Sequence, residues 1–222
     1  MGLHGFLNRQ VLTPEQMLPD RCVFHFTDTP ETFRIYPFHF HLQLEYSLHQ
    51  NHLHIRYQVN NLGENTMYCG FGGHPGINLP LEPGLCFEDY QITFPQECHC
   101  NVVQFSPSVL TLGKKPYFLE FNRYLPLNHD LFLQDAIVLT DCPRQVTLSS
   151  KKGNHGVTVH FPAMPYVGFW QIPNKNAPYL CIEPWSVLPG REGIVEDIST
   201  MPDMTKISPG KHAVNMWSIE IF

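Results

Sequence analysis

Two short stretches of the chain hold residue types that can move protons. The first, CGFGGHPGINLP at 69–80, sets His74 between the glycines Gly70, Gly72 and Gly73 and the rigid Pro75, with Asn78 four residues on. Glycine permits close backbone approach or a positive φ, and proline stiffens the exit, so this imidazole is aimed at something. It suits a general acid, and it also suits a turn histidine bonded to backbone. The second stretch, APYLCIEPW at 177–185, ends an apolar strand in Glu183, Pro184 and Trp185. An indole can cover the apolar face of a sugar ring while a carboxylate holds its hydroxyls. A half-exposed glutamate beside a core tryptophan is the plainer alternative.

Further candidates are weaker. PLNHDLFLQDAIVLT at 126–140 offers His129, Asp130 and Asp135 near the start of a strand, where aspartates also serve as turn caps. Histidines at 39, 41, 52 and 54 raise the question of a metal, but strand alternation puts them on a polar face where only His49 and His52 oppose each other. A structural zinc site needs four ligands, so no metal is expected. Cys98 and Cys100 in ECHC are expected on one strand face, as core packing. The chain has no G-x-x-x-x-G-K-[ST], no G-x-G-x-x-G opening a helix and no G-x-S-x-G, so nucleotide and serine-hydrolase chemistry drop out. No cofactor is expected.

The elements that must position these residues are strands. FHLQLEYSLHQNHLHIRYQV alternates apolar and polar residues twice and reads as a hairpin. A two-residue turn at Gln50 and Asn51 sets Leu48 opposite Leu53, Tyr46 opposite Ile55 and Leu44 opposite Tyr57, with Glu45 facing Arg56 as a cross-strand ion pair. Further strands are expected at RCVFHF, YQITF, AIVLT, QVTLSS, GVTVHF, YVGFW, YLCIE and VNMWSIEIF, punctuated by 20 prolines and 15 glycines. Helix is confined to TPETFRIY, with Thr29 as N-cap and Pro30 in the first turn, and TPEQML, which repeats that signature. Many short strands with almost no long helix imply an all-β antiparallel sandwich or barrel. A chain of 222 residues fits a single domain over 1–222.

Composition narrows the partners. Hydrophobic residues at 43% supply a sizeable core, and charged residues at 15% fall below the usual quarter or so. A net charge of −6 with no basic run argues against nucleic acid or an anionic membrane. Seven cysteines without C-x-x-C spacing fit reduced thiols, and MGLHGFLNRQ lacks the apolar core of a signal peptide, so a soluble cytoplasmic protein is expected.

Taken together, LHGF at 3–6, FRIYPFHFHLQLEYSL at 33–48, GGHPGIN at 72–78, HDLFLQDAI at 129–137, PYVGFW at 165–170 and CIEPW at 181–185 resemble the aldose 1-epimerase (galactose mutarotase) family, in its shorter bacterial branch. The resemblance implies a β-supersandwich and anomer interconversion of a hexose or hexose phosphate, with His74 as general acid and Glu183 as general base. It also implies that His4, Asn78, Asp130, Asp135, Trp170 and Trp185 line the sugar site. The family pattern H-G-F-x-R meets Asn8 here, with Arg9 beside it, and the leading strands of the family are expected to be missing. A sheet short of neighbours exposes pairing edges, which makes a homodimer an expectation. The same features leave open a noncatalytic carbohydrate-binding protein.

Overall fold

The computed structural model describes residues 4–222, and strands dominate them. The chain divides into two compact units. One holds the residues up to Gly70 with Asp197–Met216, and the other holds Phe71–Glu196 with Trp217–Phe222.

In the first unit four strands, Thr13–Leu18, Arg21–Thr27, Phe40–His49 and His52–Asn61, follow one another as an antiparallel meander. The hairpin has the register expected from alternation, with Leu48 opposite Leu53, Tyr46 opposite Ile55 and Glu45 opposite Arg56. The ion pair goes elsewhere. Arg21, on the strand at the other side of Glu45, clasps both carboxylate oxygens at 3.0 and 2.9 Å, while Arg56 donates to Gln58. A guanidinium fork matched to both oxygens holds the carboxylate better than a single facing contact.

Thr29 caps the helix Pro30–Ile35 as expected, exchanging backbone-to-hydroxyl bonds with Thr32. The matching expectation for TPEQML is corrected: Thr13–Leu18 is a strand paired with Arg21–Thr27, with a bulge between Pro14 and Gln16. So short a helix closes very few of its own hydrogen bonds, and a neighbouring strand offers the backbone more. Pro14 is tolerated because the strand lies at an edge.

In the second unit the order Gly76–Asn78, Tyr179–Trp185, Tyr166–Trp170, Ile137–Thr140, Asn101–Phe105, Thr111–Pro116 makes one sheet. Gly156–His160, Gln145–Ser150, Tyr90–Thr93 and Tyr124–Pro126 pair in that order, with residues 218–221, the end of the strand His212–Ile221, alongside the first of them. Ile92, Val146, Leu148, Val159, Leu139, Val167, Phe169, Leu180 and Ile182 are fully buried and form the core. All eight strands read from apolar runs are present. ECHC is not one of them, because the strand begins at Asn101. Cys100 is nevertheless buried, and its thiol is pushed up to about 11 by loss of water. All seven cysteines are free, and among the described residues no helix is long and apolar enough to cross a membrane.

Candidate active site

The strand Tyr179–Trp185 organises the site. Strand alternation puts Leu180 and Ile182 into the core and sends Tyr179, Cys181, Glu183 and Trp185 to the other face. On one side lies Tyr166–Trp170, pairing Gly168 with Glu183 and Trp170 with Cys181. On the other side runs the segment 72–78. The Gly73 amide donates to Pro184 (3.0 Å), Ile182 donates to Pro75 (3.2 Å), and the ladder continues with Gly76 opposite Cys181 and Asn78 opposite Tyr179. His74 is thereby delivered beside Glu183, its Nε2 3.2 Å from Oε1.

The glycines serve close approach rather than unusual φ, since neither Gly72, Gly73 nor Gly76 has a positive φ. A Cβ on Gly73 would lie 2.4 Å from the Trp217 ring, which no side chain can accept without movement. A Cβ on Gly168 would stand 3.4 Å from Glu183 Cβ and the Trp185 ring, an ordinary contact, so this position packs directly against both residues.

The two members of the pair meet water very differently. The side chain of His74 is 43% exposed and that of Glu183 only 3%. Burial raises the carboxyl from its ordinary value to about 7, the nearby Asp135 charge adds to the rise, and a hydrogen bond with Trp185 opposes it. Near neutrality the buried carboxyl therefore stands close to its midpoint and can take up or give back a proton. Trp170 sets its ring nearly perpendicular to His74, at 5.8 Å and 79°, and its indole N–H donates to Asp135 Oδ1 at 2.7 Å. Asp135 adopts φ 84°, a left-handed conformation tolerated better by aspartate than by most residues, and its Oδ1 also accepts from the Ala136 amide.

Five of the residues singled out from sequence thus gather in one place: His74, Glu183, Asp135, Trp170 and Trp185. Asn78 lies on the same sheet face, exposed and opposite Tyr179. Asp130 is an exposed residue of the turn His129–Phe132, which Asn128 caps through the Leu131 amide. His129 bonds Gln171 and stacks on Phe87. His4, exposed at φ 62°, belongs to the first unit, as do the exposed Asn8 and Arg9 of the turn Leu7–Arg9. Two participants escape sequence inspection. Tyr179 packs 6.1 Å from Trp170, and Cys181 places its sulfur within 4.8 Å of donor atoms on both His74 and Glu183. Their signal was the i, i+2 spacing back from Glu183, legible once the strand's solvent face is known. Cavities of about 300 and 240 Å³ flank Thr111 and Gly113, and neither is lined by His74 or Glu183.

Comparison with known proteins bears on the family and the fold. The family model described as aldose 1-epimerase matches residues 1–197. The plasmid and chromosomal LacX proteins of Lactococcus lactis subsp. lactis are each 34% identical over 213 residues, covering 93% of this chain and 70% of theirs. Among solved structures, a galactose mutarotase related enzyme from Lactobacillus acidophilus superposes with a TM-score of 0.92 at 28% identity, over all of this chain and 74% of that one. A galactose mutarotase-like protein from Lactobacillus casei gives 0.84 at 25% identity, over 95% of this chain and 73% of that one. The fold is accordingly an antiparallel β-sandwich of galactose mutarotase type.

Proposed function

Because the chain belongs to the aldose 1-epimerase family, we propose that it interconverts the α and β anomers of a hexose or hexose phosphate by acid–base ring opening. The observation that carries this reading is the 3.2 Å approach of His74 Nε2 to Glu183 Oε1, made by residues 109 positions apart in the chain. Ring opening requires a proton to leave the anomeric hydroxyl while another reaches the ring oxygen. Both oxygens sit on one carbon, so a base and an acid a few ångströms apart can reach both.

In the forward direction the Glu183 carboxylate takes the hydroxyl proton and the protonated His74 imidazole gives one to the ring oxygen. The ring C–O bond breaks and the free aldehyde forms. Rotation about the bond to the carbonyl carbon presents its other face, and reclosure returns both protons to yield the opposite anomer. No covalent intermediate and no cofactor are needed. Burial of Glu183 supports the base role, since a carboxyl near 7 accepts a proton far more readily than an ordinary one, while the exposed His74 can exchange its proton with water.

Trp170 and Trp185 form walls for the sugar ring in this reading, and Asn78 holds a hydroxyl. Asp135 orients Trp170 through Oδ1 and offers its other oxygen to the sugar. His4 and Asp130 remain proposed contacts through the family resemblance alone. The direct test is anomer exchange of freshly dissolved glucose, galactose and their 6-phosphates, followed by NMR. Exchange should be faster than in buffer and should lose most of the gain in His74→Asn or Glu183→Gln. Saturable sugar binding without any rate effect would select a carbohydrate-binding role instead.

A further inference from the structure

His74, Cys181 and Glu183 bring one imidazole nitrogen, one sulfur and one carboxylate oxygen within 4.8 Å of one another. We infer that these three donors form an inhibitory site for a thiophilic divalent cation of the zinc class, at the same place where protons are moved. Bond lengths of about 2.0–2.3 Å to N, O and S place the ligands of a tetrahedral ion roughly 3.3–3.6 Å apart. The His74 Nε2 to Glu183 Oε1 separation of 3.2 Å already falls close to that range. All three donors lie within 4.8 Å of one another, and the half-exposed imidazole can turn to close the remaining gap.

The chemistry of the set favours such an ion. Three mixed N, S and O ligands with a fourth position left to water is the arrangement of an open zinc site, and a thiolate selects zinc or cadmium over magnesium or calcium. The strand geometry fixes the donors without any sequence motif: Cys181 and Glu183 are i and i+2 on one face, and His74 comes from the segment just before the neighbouring strand Gly76–Asn78. Gly76, opposite Cys181, carries no side chain between its strand and the sulfur, and a Cβ there would stand 3.7 Å from Sγ. Asp135, the other charge that Glu183 feels, adds a second negative group that favours a cation.

Occupation releases the thiol proton, together with any proton held on the ligating atoms of His74 and Glu183, to solvent, with no change in oxidation state. Ion and catalytic proton are therefore mutually exclusive, and affinity rises with pH. The site is the one proposed for anomer exchange, but metal binding is measured without sugar, so each idea can fail alone.

The full chain is titrated with Cd²⁺ while thiolate-to-cadmium charge transfer is followed in the ultraviolet, and with Zn²⁺ by calorimetry. One equivalent should bind with a charge-transfer band that Cys86→Ser keeps and Cys181→Ser loses, Cys86 being the exposed thiol beside Asp89. Zn²⁺ should compete for the site, weaken roughly tenfold or more in His74→Asn, and slow anomer exchange in the wild type. Near-ultraviolet circular dichroism checks that Cys181→Ser is folded, and His74→Asn, at a half-exposed position, carries the test if it is not. A band retained in folded Cys181→Ser, or Zn²⁺ affinity unchanged in His74→Asn, overturns the inference. Metal binding at Cys181 in a protein without exchange activity would uphold it and overturn the proposed function instead.

Discussion

The hairpin Phe40–His49 and His52–Asn61 and the strand group around Tyr179–Trp185 are both antiparallel ladders, yet they spend their side chains differently. In the hairpin the partners lie a few residues apart, the turn sets the register, and polar side chains such as Glu45 meet cations at the surface. In the second group the partners of Glu183 come from residues 72–78 and 166–170, and the residue is buried with no Lys or Arg among the groups that shift it. A ladder closed locally can be built for stability alone. The one assembled from distant segments carries a buried acid that a stability-minded design would omit.

That contrast can be broken most severely at the proton-moving pair. Glu183→Gln or His74→Asn should lower anomer exchange by about 10²–10⁴-fold, the usual share of one positioned acid or base, whereas Glu45→Gln in the hairpin should leave the rate unchanged. Equal losses from both regions would erase the distinction.

Stability should move the other way in Glu183→Gln. Because the folded carboxyl is raised from 4.5 to about 7, its contribution is fully present below about pH 4.5 and is lost as pH rises through 7. Above pH 7 the wild type therefore bears a penalty of up to about 3 kcal/mol that glutamine avoids, at about 1.4 kcal/mol per unit. Urea unfolding of both proteins at pH 5 and pH 8 reads it, and a gap that does not widen at pH 8 rejects the burial argument. The same shift predicts that exchange falls below about pH 7 as the base becomes protonated, and a rate flat from pH 5 to 8 would contradict it.

A smaller effect sharpens the role of close approach. Gly73→Ala should destabilise by about 1–3 kcal/mol, since its methyl meets the Trp217 ring at 2.4 Å, while Gly84→Ala, at φ 85° with open space around it, meets backbone strain only. Thermal unfolding ranks the two. Least of all, Arg21→Gln should leave the unfolding midpoint almost unmoved and lose even that trace in high salt, because this ion pair is solvent-exposed.

Much of the architecture was legible from local pattern. Leu42, Leu44, Tyr46 and Leu48 alternate, and a turn at Gln50 then leaves one register, which the structure has. Short pieces such as Gly76–Asn78 and Thr205–Ile207 were not legible, since three residues carry no period and are strands only because a neighbour supplies the ladder. TPEQML shows the reverse error, a helix signature overruled by the strand beside it.

By itself the sequence determined that the chain is all-β, which segments form its longer strands, and that His74 and Glu183 resemble a known acid and base. Those properties depend on side-chain alternation and on residue types, and both are written locally. Only the tertiary structure decided that Cys181 joins the pair, that Trp217 forbids a side chain at Gly73, and that Glu183 is raised to about 7. These depend on which distant strands become neighbours and on how completely water is removed, and no window of adjacent residues contains either.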